Sequence, residues 1–263
     1  MVYKNTRFLI LGLVLFFSGS HRAMAFDHSH KLWTKILGQY LVKGSFKYGE
    51  LKKAQDTGGA SDLRDYLRQL EGVTLAEYSG FSKAEQMAFL INAYNALTIK
   101  LILDHHPVKT IRDIGGFFKS PWSLEYFSLL GGKIRSLDPI EHDYLRPLFK
   151  DYRIHAAVNC ASKSCPELRA EAFVAERLGE QLDDQMAKWL QDQSRNRVEI
   201  SSQSIYLSKI FDWYGKDFDQ WGGGTAAVLT KHAGKVYKAP LDAGYRVRYL
   251  EYDWTLNENP SHD

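Results

Sequence analysis

Two cysteines in 263 residues are too few for a disulfide scaffold, so the fold has to hold by packing. Prolines number only 7, and no low-complexity run, internal repeat or block of like charge interrupts the chain. That leaves one compact domain as the simplest organisation of residues 26–263, a length sufficient for a real core. Charge of one sign is also lacking. The net +3 is supplied by Lys4, Arg7 and Arg22 of the first 25 residues, where no acid stands. From Phe26 onward the chain is neutral, which removes the electrostatic argument for nucleic acid or an anionic membrane as partner.

What is present begins with an address. Lys4 and Arg7 precede the apolar run Phe8 to Phe17, and Ala23-Met24-Ala25 supplies small residues at a cleavage position. The run is shorter than the roughly 20 apolar residues of a membrane span. We therefore expect residues 1–25 to be a signal peptide cut after Ala25, with a periplasmic or secreted product and no integral membrane segment after processing. No cysteine follows the cleavage position to carry a lipid.

Helical spacing recurs at Leu32, Ile36, Leu37, Tyr40 and Leu41, and again at Leu63, Tyr66, Leu67 and Leu70, with Gly58-Gly59 as a loop between. Ser82-Lys-Ala-Glu85 has the capping-box pattern and leads into an apolar run that stops before Pro107, so this helix should be buried and central. Asn92 and Asn95 share one of its faces. A buried amide without partners costs about 1 to 3 kcal/mol, so both must be bonded. Residues 108–138 read as a long aromatic loop with a short strand pair at Gly131-Gly132. Asp138 should cap a helix with Pro139 in its first turn and Leu145, Leu148 and Phe149 inward.

Arg153 to Asn159 alternates as a strand and hands over to a loop at Cys160. Leu178 to Leu190 marks a further helix. Val198–Ile200 and Ile205–Leu207 read as a hairpin, Ser208 caps a short helix, a small helix spans Ala226 to His232, and Tyr245–Tyr252 forms a last strand. The class is α+β, rich in helix, with a small and mainly antiparallel sheet.

The chemistry gathers in Arg153-Ile-His155-Ala-Ala-Val-Asn-Cys160-Ala-Ser-Lys-Ser-Cys165-Pro. Cys160 at a strand end is held and reachable, and becomes a nucleophile if a base raises its thiolate fraction. Alternation puts His155 on the opposite face, which leaves His142 as the other candidate base. Ser164-Cys-Pro-Glu167 repeats the capping-box pattern and would set Cys165 at a helix start, where the dipole favours a thiolate. Against both stands a Cys160–Cys165 disulfide, natural in an oxidising compartment. Buried structural cysteines, or a zinc site drawing on His142, His155 and both sulfurs, complete the alternatives. Their spacing matches no metal pattern, and nothing calls for a cofactor. Glu141-His142 reads as a dipole-complementing helix start or as a polar pair steering a thiol. Trp122, Tyr126 and Phe127 in the loop, with Trp213, Tyr214 and Trp221 later, invite a sugar-binding reading, but most aromatics belong to the core, and Trp122, on a glycine-bounded loop, is the one to test for exposure.

Five ordered stretches then form one pattern: Phe89 to Ala96, Ser136 to His142 with Leu145-Arg146, Arg153 to Pro166, Leu207 to Tyr214 with Asp217-Phe218, and Tyr252 to Asn257. Together they resemble the uncharacterised family called domain of unknown function 547, over about residues 82 to 257, in a secreted bacterial-type member. The resemblance marks Asn92, Asn95, Glu141, His142, Arg146, His155, Cys160 and Cys165 as polar positions and implies no reaction. Polar groups gathered from distant stretches are how catalytic sites are assembled. Two functions are expected from this set. One is a thiol-dependent acyl or amide hydrolase or transferase, with Cys160 as nucleophile, His142 or His155 as base, Asn92 orienting, and Asn95, Glu141 and Cys165 around them. The other is a non-enzymatic envelope binding or assembly module with the cysteines oxidised. The partner in either case is an unknown small-molecule or envelope ligand.

Overall fold

The computed structural model describes residues 25–59, 61–116 and 119–259. The expected leader, all but Ala25, lies outside them. The first half runs α1 Lys31–Tyr40, β1 Leu41–Val42, β2 Ser45–Phe46, α2 Tyr48–Asp56, α3 Asp62–Gly72, α4 Leu75–Gly80 and α5 Lys83–His105. After the aromatic loop come α6 Leu137–Pro139, a π-helical turn Ile140–Leu145, α7 Arg146–Phe149, α8 Ile154–Ala157 and α9 Leu178–Gln191. The chain closes with β3 Arg197–Glu199, β4 Ser204–Leu207, α10 Ile210–Trp213, α11 Gly215–Gly222, α12 Thr225–Asp242 and β5 Arg246–Tyr249. The α+β class holds. The largest sheet has the order β3-β4-β5, with β3 antiparallel and β5 parallel to β4.

Helix α5 is the centre. Ser82 Oγ accepts from the Glu85 amide at 3.2 Å while the Glu85 carboxylate accepts from the Ser82 amide at 2.7 Å, so the start is fixed by a reciprocal cap. Its residues from Met87 to Ile99 are all buried, which is why no single apolar face could be read from its sequence. It is also the one helix, among the described residues, long and apolar enough to cross a membrane, but 89 % of its most apolar window lies inside the protein.

One apolar cluster surrounds α5, and a second is built from α9, β4, α10, α11 and α12. The single turn α8 serves both, with Ile154 and Ala157 in the first cluster and Ala156 in the second. That double burial explains why residues 153–159 are not the strand expected from their alternation. Every residue from Ile154 to Asn159 is buried, and Asp151 starts the turn by accepting the Arg153 amide at 2.9 Å.

Other expectations needed similar correction. The helix from Asp138 is broken by the π-helical turn, and Leu148 is exposed rather than inward. Pro147 supplies the reason: it has no amide to donate and its ring would meet the carbonyl four residues back, at Asp143, so the wider turn relieves an α-helical clash. Residues 164–167 form no helix, because Ser164 Oγ accepts from the Asp253 amide at 2.8 Å instead of capping. At Gly131-Gly132 there is a turn with only an isolated Leu129–Ile134 bridge. Helix α12 extends ten residues beyond His232, kinked at Ala233. The β1–β2 hairpin, with Gly44 at φ +77° in its turn, and the helices α2 and α4 were not foreseen.

Near the start, His30 is buried with Nδ1 2.7 Å from the Tyr66 hydroxyl. Burial, reinforced by neighbouring His28 and opposed by Asp27, holds its pKa down from 6.5 to about 4. The unfolded chain therefore takes up a proton over a range in which the folded protein does not. Stability present above pH 6.5 is lost as pH falls towards 4. Unfolding by urea should show a loss of about 3 kcal/mol over that window, largely abolished in His30→Gln. An unchanged pH slope in the variant would assign the loss elsewhere.

Candidate functional site

Where the two apolar clusters meet, a cavity of about 300 Å³ opens. Its walls come from distant segments. Tyr94 is from α5, Trp122 from the aromatic loop, Asp138, Glu141 and His142 from α6 and the π-helical turn, and His155 from α8. Cys160 and Cys165 come from the loop that follows, Trp213 and Tyr214 from the end of α10, and Tyr252 and Trp254 from the C-terminal segment.

The electrostatic centre is Asp217 on α11. Arg146 grips it with both prongs, Nε to Oδ2 at 2.6 Å and Nη2 to Oδ1 at 2.9 Å, and His155 Nε2 donates to Oδ2 at 2.9 Å. Burial alone would raise this carboxyl, but the bonds from His155 and Arg146 outweigh it and hold the group down to about 2. Arg146 also donates from Nη1 to His142 Nδ1 at 3.1 Å. A guanidinium only donates, so His142 Nδ1 is the acceptor in this contact. The His155 ring stacks on Tyr214 with centroids 4.1 Å apart. With Nε2 committed to Asp217, Nδ1 is the ring nitrogen left for a ligand.

Glu141 is buried in the cavity wall. Burial raises the Tyr214 phenol, and the Glu141 carboxylate beside it raises it further, so Tyr214 stays a donor at neutral pH. Asp138 is raised by burial, and Glu141 and Asp143 add to that against the opposing His142.

Cys160 and Cys165 are joined in a disulfide whose Cα atoms are 6.3 Å apart. Ser162 Oγ donates to the Tyr252 hydroxyl at 3.0 Å, and that hydroxyl donates to Cys165 Sγ at 3.1 Å while lying 3.2 Å from Cys160 Sγ. The Cys160 amide points to Cys165 Sγ at 3.0 Å. Among the described residues the polar neighbours of the two sulfurs are these groups and the Ser162 hydroxyl, and none is a histidine ring.

Five of the seven candidate residues, Glu141, His142, His155, Cys160 and Cys165, therefore line one cavity. Asn92 and Asn95 do not. Asn92 exchanges two bonds with the main chain of Phe173, at 2.7 and 3.0 Å. Asn95 Nδ2 donates to Ala157 O at 2.9 Å and its Oδ1 accepts the Asn159 amide at 2.8 Å. Their capacity is taken up by backbone, so Asn92 orients no thiol; the pair pins two chain segments to α5. Asn159 continues the clamp, accepting the Ala161 amide at 2.7 Å and donating to Pro166 O at 2.7 Å.

Asp217, Tyr252, Asp138 and Trp254 were not nominated from the sequence. The signal for Asp217 was its place beside Phe218 in the fourth of the five stretches, three residues after Tyr214. Trp122, expected as the aromatic to test for exposure, is half-buried, packs edge to face on Trp254 at 5.7 Å and lines the cavity. Among the described residues no group of three or more His, Cys, Asp or Glu is placed to hold a metal ion.

No curated protein and no solved structure matches the chain. The five sequence stretches meet in this structure: each contributes to the cavity wall, and the Cys160–Cys165 loop is tied by Asn95 to the first, on α5. Residues 78–190, which hold α5, the π-helical turn, α8 and the disulfide loop, match the model of the family described as Protein of unknown function, DUF547.

Proposed function

We propose that the chain is an exported envelope protein that binds a small molecule in this cavity, with the Cys160–Cys165 disulfide as a structural part of its floor. The observation that carries the reading is the state of the sulfurs. They are bonded to each other and held by Tyr252, with no imidazole against them among the described residues, which speaks against the thiolate and base that acyl chemistry needs. A preformed cavity with aromatic walls and a few convergent polar groups is the usual form of a small-molecule site.

Export is supported by the disulfide, which persists in an oxidising compartment. The start of the fold supports it too. The side chain of Phe26 is buried against Phe89, with centroids 5.2 Å apart, and its main-chain nitrogen lies 3.2 Å from Glu77 Oε1. Cleavage after Ala25 would turn that nitrogen into an ammonium beside a carboxylate.

One observation favours thiol chemistry as a second reading. Cys160 is only half-buried and shares the cavity with His142 and His155. If the disulfide were reduced, pairing with the thiol would require His142 to leave Arg146 or His155 to leave Asp217. The two readings part on redox state.

Thiol titration of the denatured, unreduced protein should find none, and two after reduction. Replacing both cysteines with serine should lower stability by about 2 kcal/mol, as expected for releasing so short a loop. Two free thiols in the native protein, with Cys160 alkylated at neutral pH, would transfer the weight to thiol chemistry. Export makes a separate prediction. The mature protein should begin at Phe26, and Glu77→Gln should cost it about 1 to 2 kcal/mol through loss of the charge-assisted bond. A mature chain beginning elsewhere, or an indifferent variant, would contradict the role given to Glu77.

A further inference from the structure

The cavity's uncompensated charge is negative. Arg146 and Asp217 neutralise each other, and the guanidinium of Arg146 also reaches Nδ1 of His142. Asp138 and Glu141 enter no ion pair among the described residues, yet both face the cavity and Glu141 is 6 % exposed. A carboxylate with that little water is costly unless a counter-charge arrives. Burial raises Asp138, with a smaller push from Glu141, so a positive group entering the cavity would relieve it as well.

The remaining wall is aromatic. Trp213, Tyr252 and Trp254 pack on one another with centroids 4.5 to 5.8 Å apart, and Trp122 extends the group across Trp254. Ring faces are electron-rich and attract cations. The chain already uses them so: the Arg146 guanidinium lies 5.0 Å from the centroid of Tyr214, and that of Arg112 lies 5.3 Å from Trp254. Trp213 is 46 % exposed at the mouth, so its surface is open to an entering group. Aromatic faces alone would suit a neutral sugar as well. The two unpaired carboxyls behind them decide for positive charge.

We propose that this cavity selects an organic cation, a fully alkylated ammonium on a short polar chain, held by the rings of Trp122, Trp213 and Tyr252 and drawn in by Glu141 and Asp138. The inference rests on the small-molecule reading above and narrows it. An alkylated ammonium is favoured over a primary one because its bulk meets the rings with little loss of hydration, whereas a primary ammonium would leave hydrogen-bonding water behind.

The test uses two probes of the same shape, choline and its neutral carbon isostere 3,3-dimethylbutan-1-ol, titrated into the oxidised protein by calorimetry with tryptophan fluorescence as a second readout. Choline should bind at least about tenfold more tightly than the alcohol, the range expected for a desolvated cation on aromatic rings. Glu141→Gln should remove most of that preference while leaving the alcohol's affinity unchanged, and Trp213→Leu should weaken choline alone. If Glu141→Gln does not fold, Asp138→Asn provides the same comparison from the other carboxyl. Equal affinity for the two probes, or a preference untouched by either carboxyl variant, would overturn cation selection and leave small-molecule binding standing. No heat and no fluorescence change from either probe would overturn cation selection too. A thermal-shift screen with neutral sugars would then decide whether the cavity binds anything.

Discussion

The site depends on one carboxylate. Asp217 receives Arg146 through two bonds and His155 through a third, and by doing so joins the π-helical turn's neighbour α7, the turn α8 and helix α11. Those elements supply or support most of the polar wall, and they belong to different apolar clusters. Packing alone gives two clusters that touch, and the shared carboxylate sets how their edges face each other. A buried acid with two cationic or neutral donors is stable only with that geometry complete, because a partner removed leaves charge without compensation.

The second constraint is the anchoring of the disulfide loop. Asn95 fixes it from below through Ala157 and Asn159, and Tyr252 covers the sulfurs from the C-terminal side. The main chain adds Lys163 N to Thr255 O at 2.8 Å and Asn257 N to Ala161 O at 3.0 Å. A loop tied to the central helix on one side and to the last segment on the other forms the floor of a cavity that exists before any ligand arrives. For the small-molecule binding proposed above, such preformation would lower the ordering cost.

The long elements were legible where local chemistry and burial agreed. The capping box at Ser82, the helical spacing of α1, α3 and α9 and the β3–β4 hairpin all followed from residue spacing. Residues 153–159 misled because a fully buried turn and a half-buried strand both show small and β-branched residues, and nothing local reveals that two clusters close on α8. Pro147 contained the warning against a plain helix after Asp138, but whether a chain answers a proline by ending, kinking or widening is settled by what packs around it. The candidate site was legible as a set of polar residues, not as an arrangement. Asn92 and Asn95 were rightly expected to be bonded, and the partners are backbone carbonyls and amides far along the chain. Asp217 stood unnominated because its importance comes only from what folds against it.

The most direct test of this account is the equilibrium unfolding of Asp217→Asn. The amide keeps the shape and removes the charge that Arg146 and His155 share. The account predicts a loss of about 3 to 5 kcal/mol, the cost of leaving a buried ion network without its acid. A loss below about 1 kcal/mol would show that packing alone sets the two clusters and that the carboxylate is incidental.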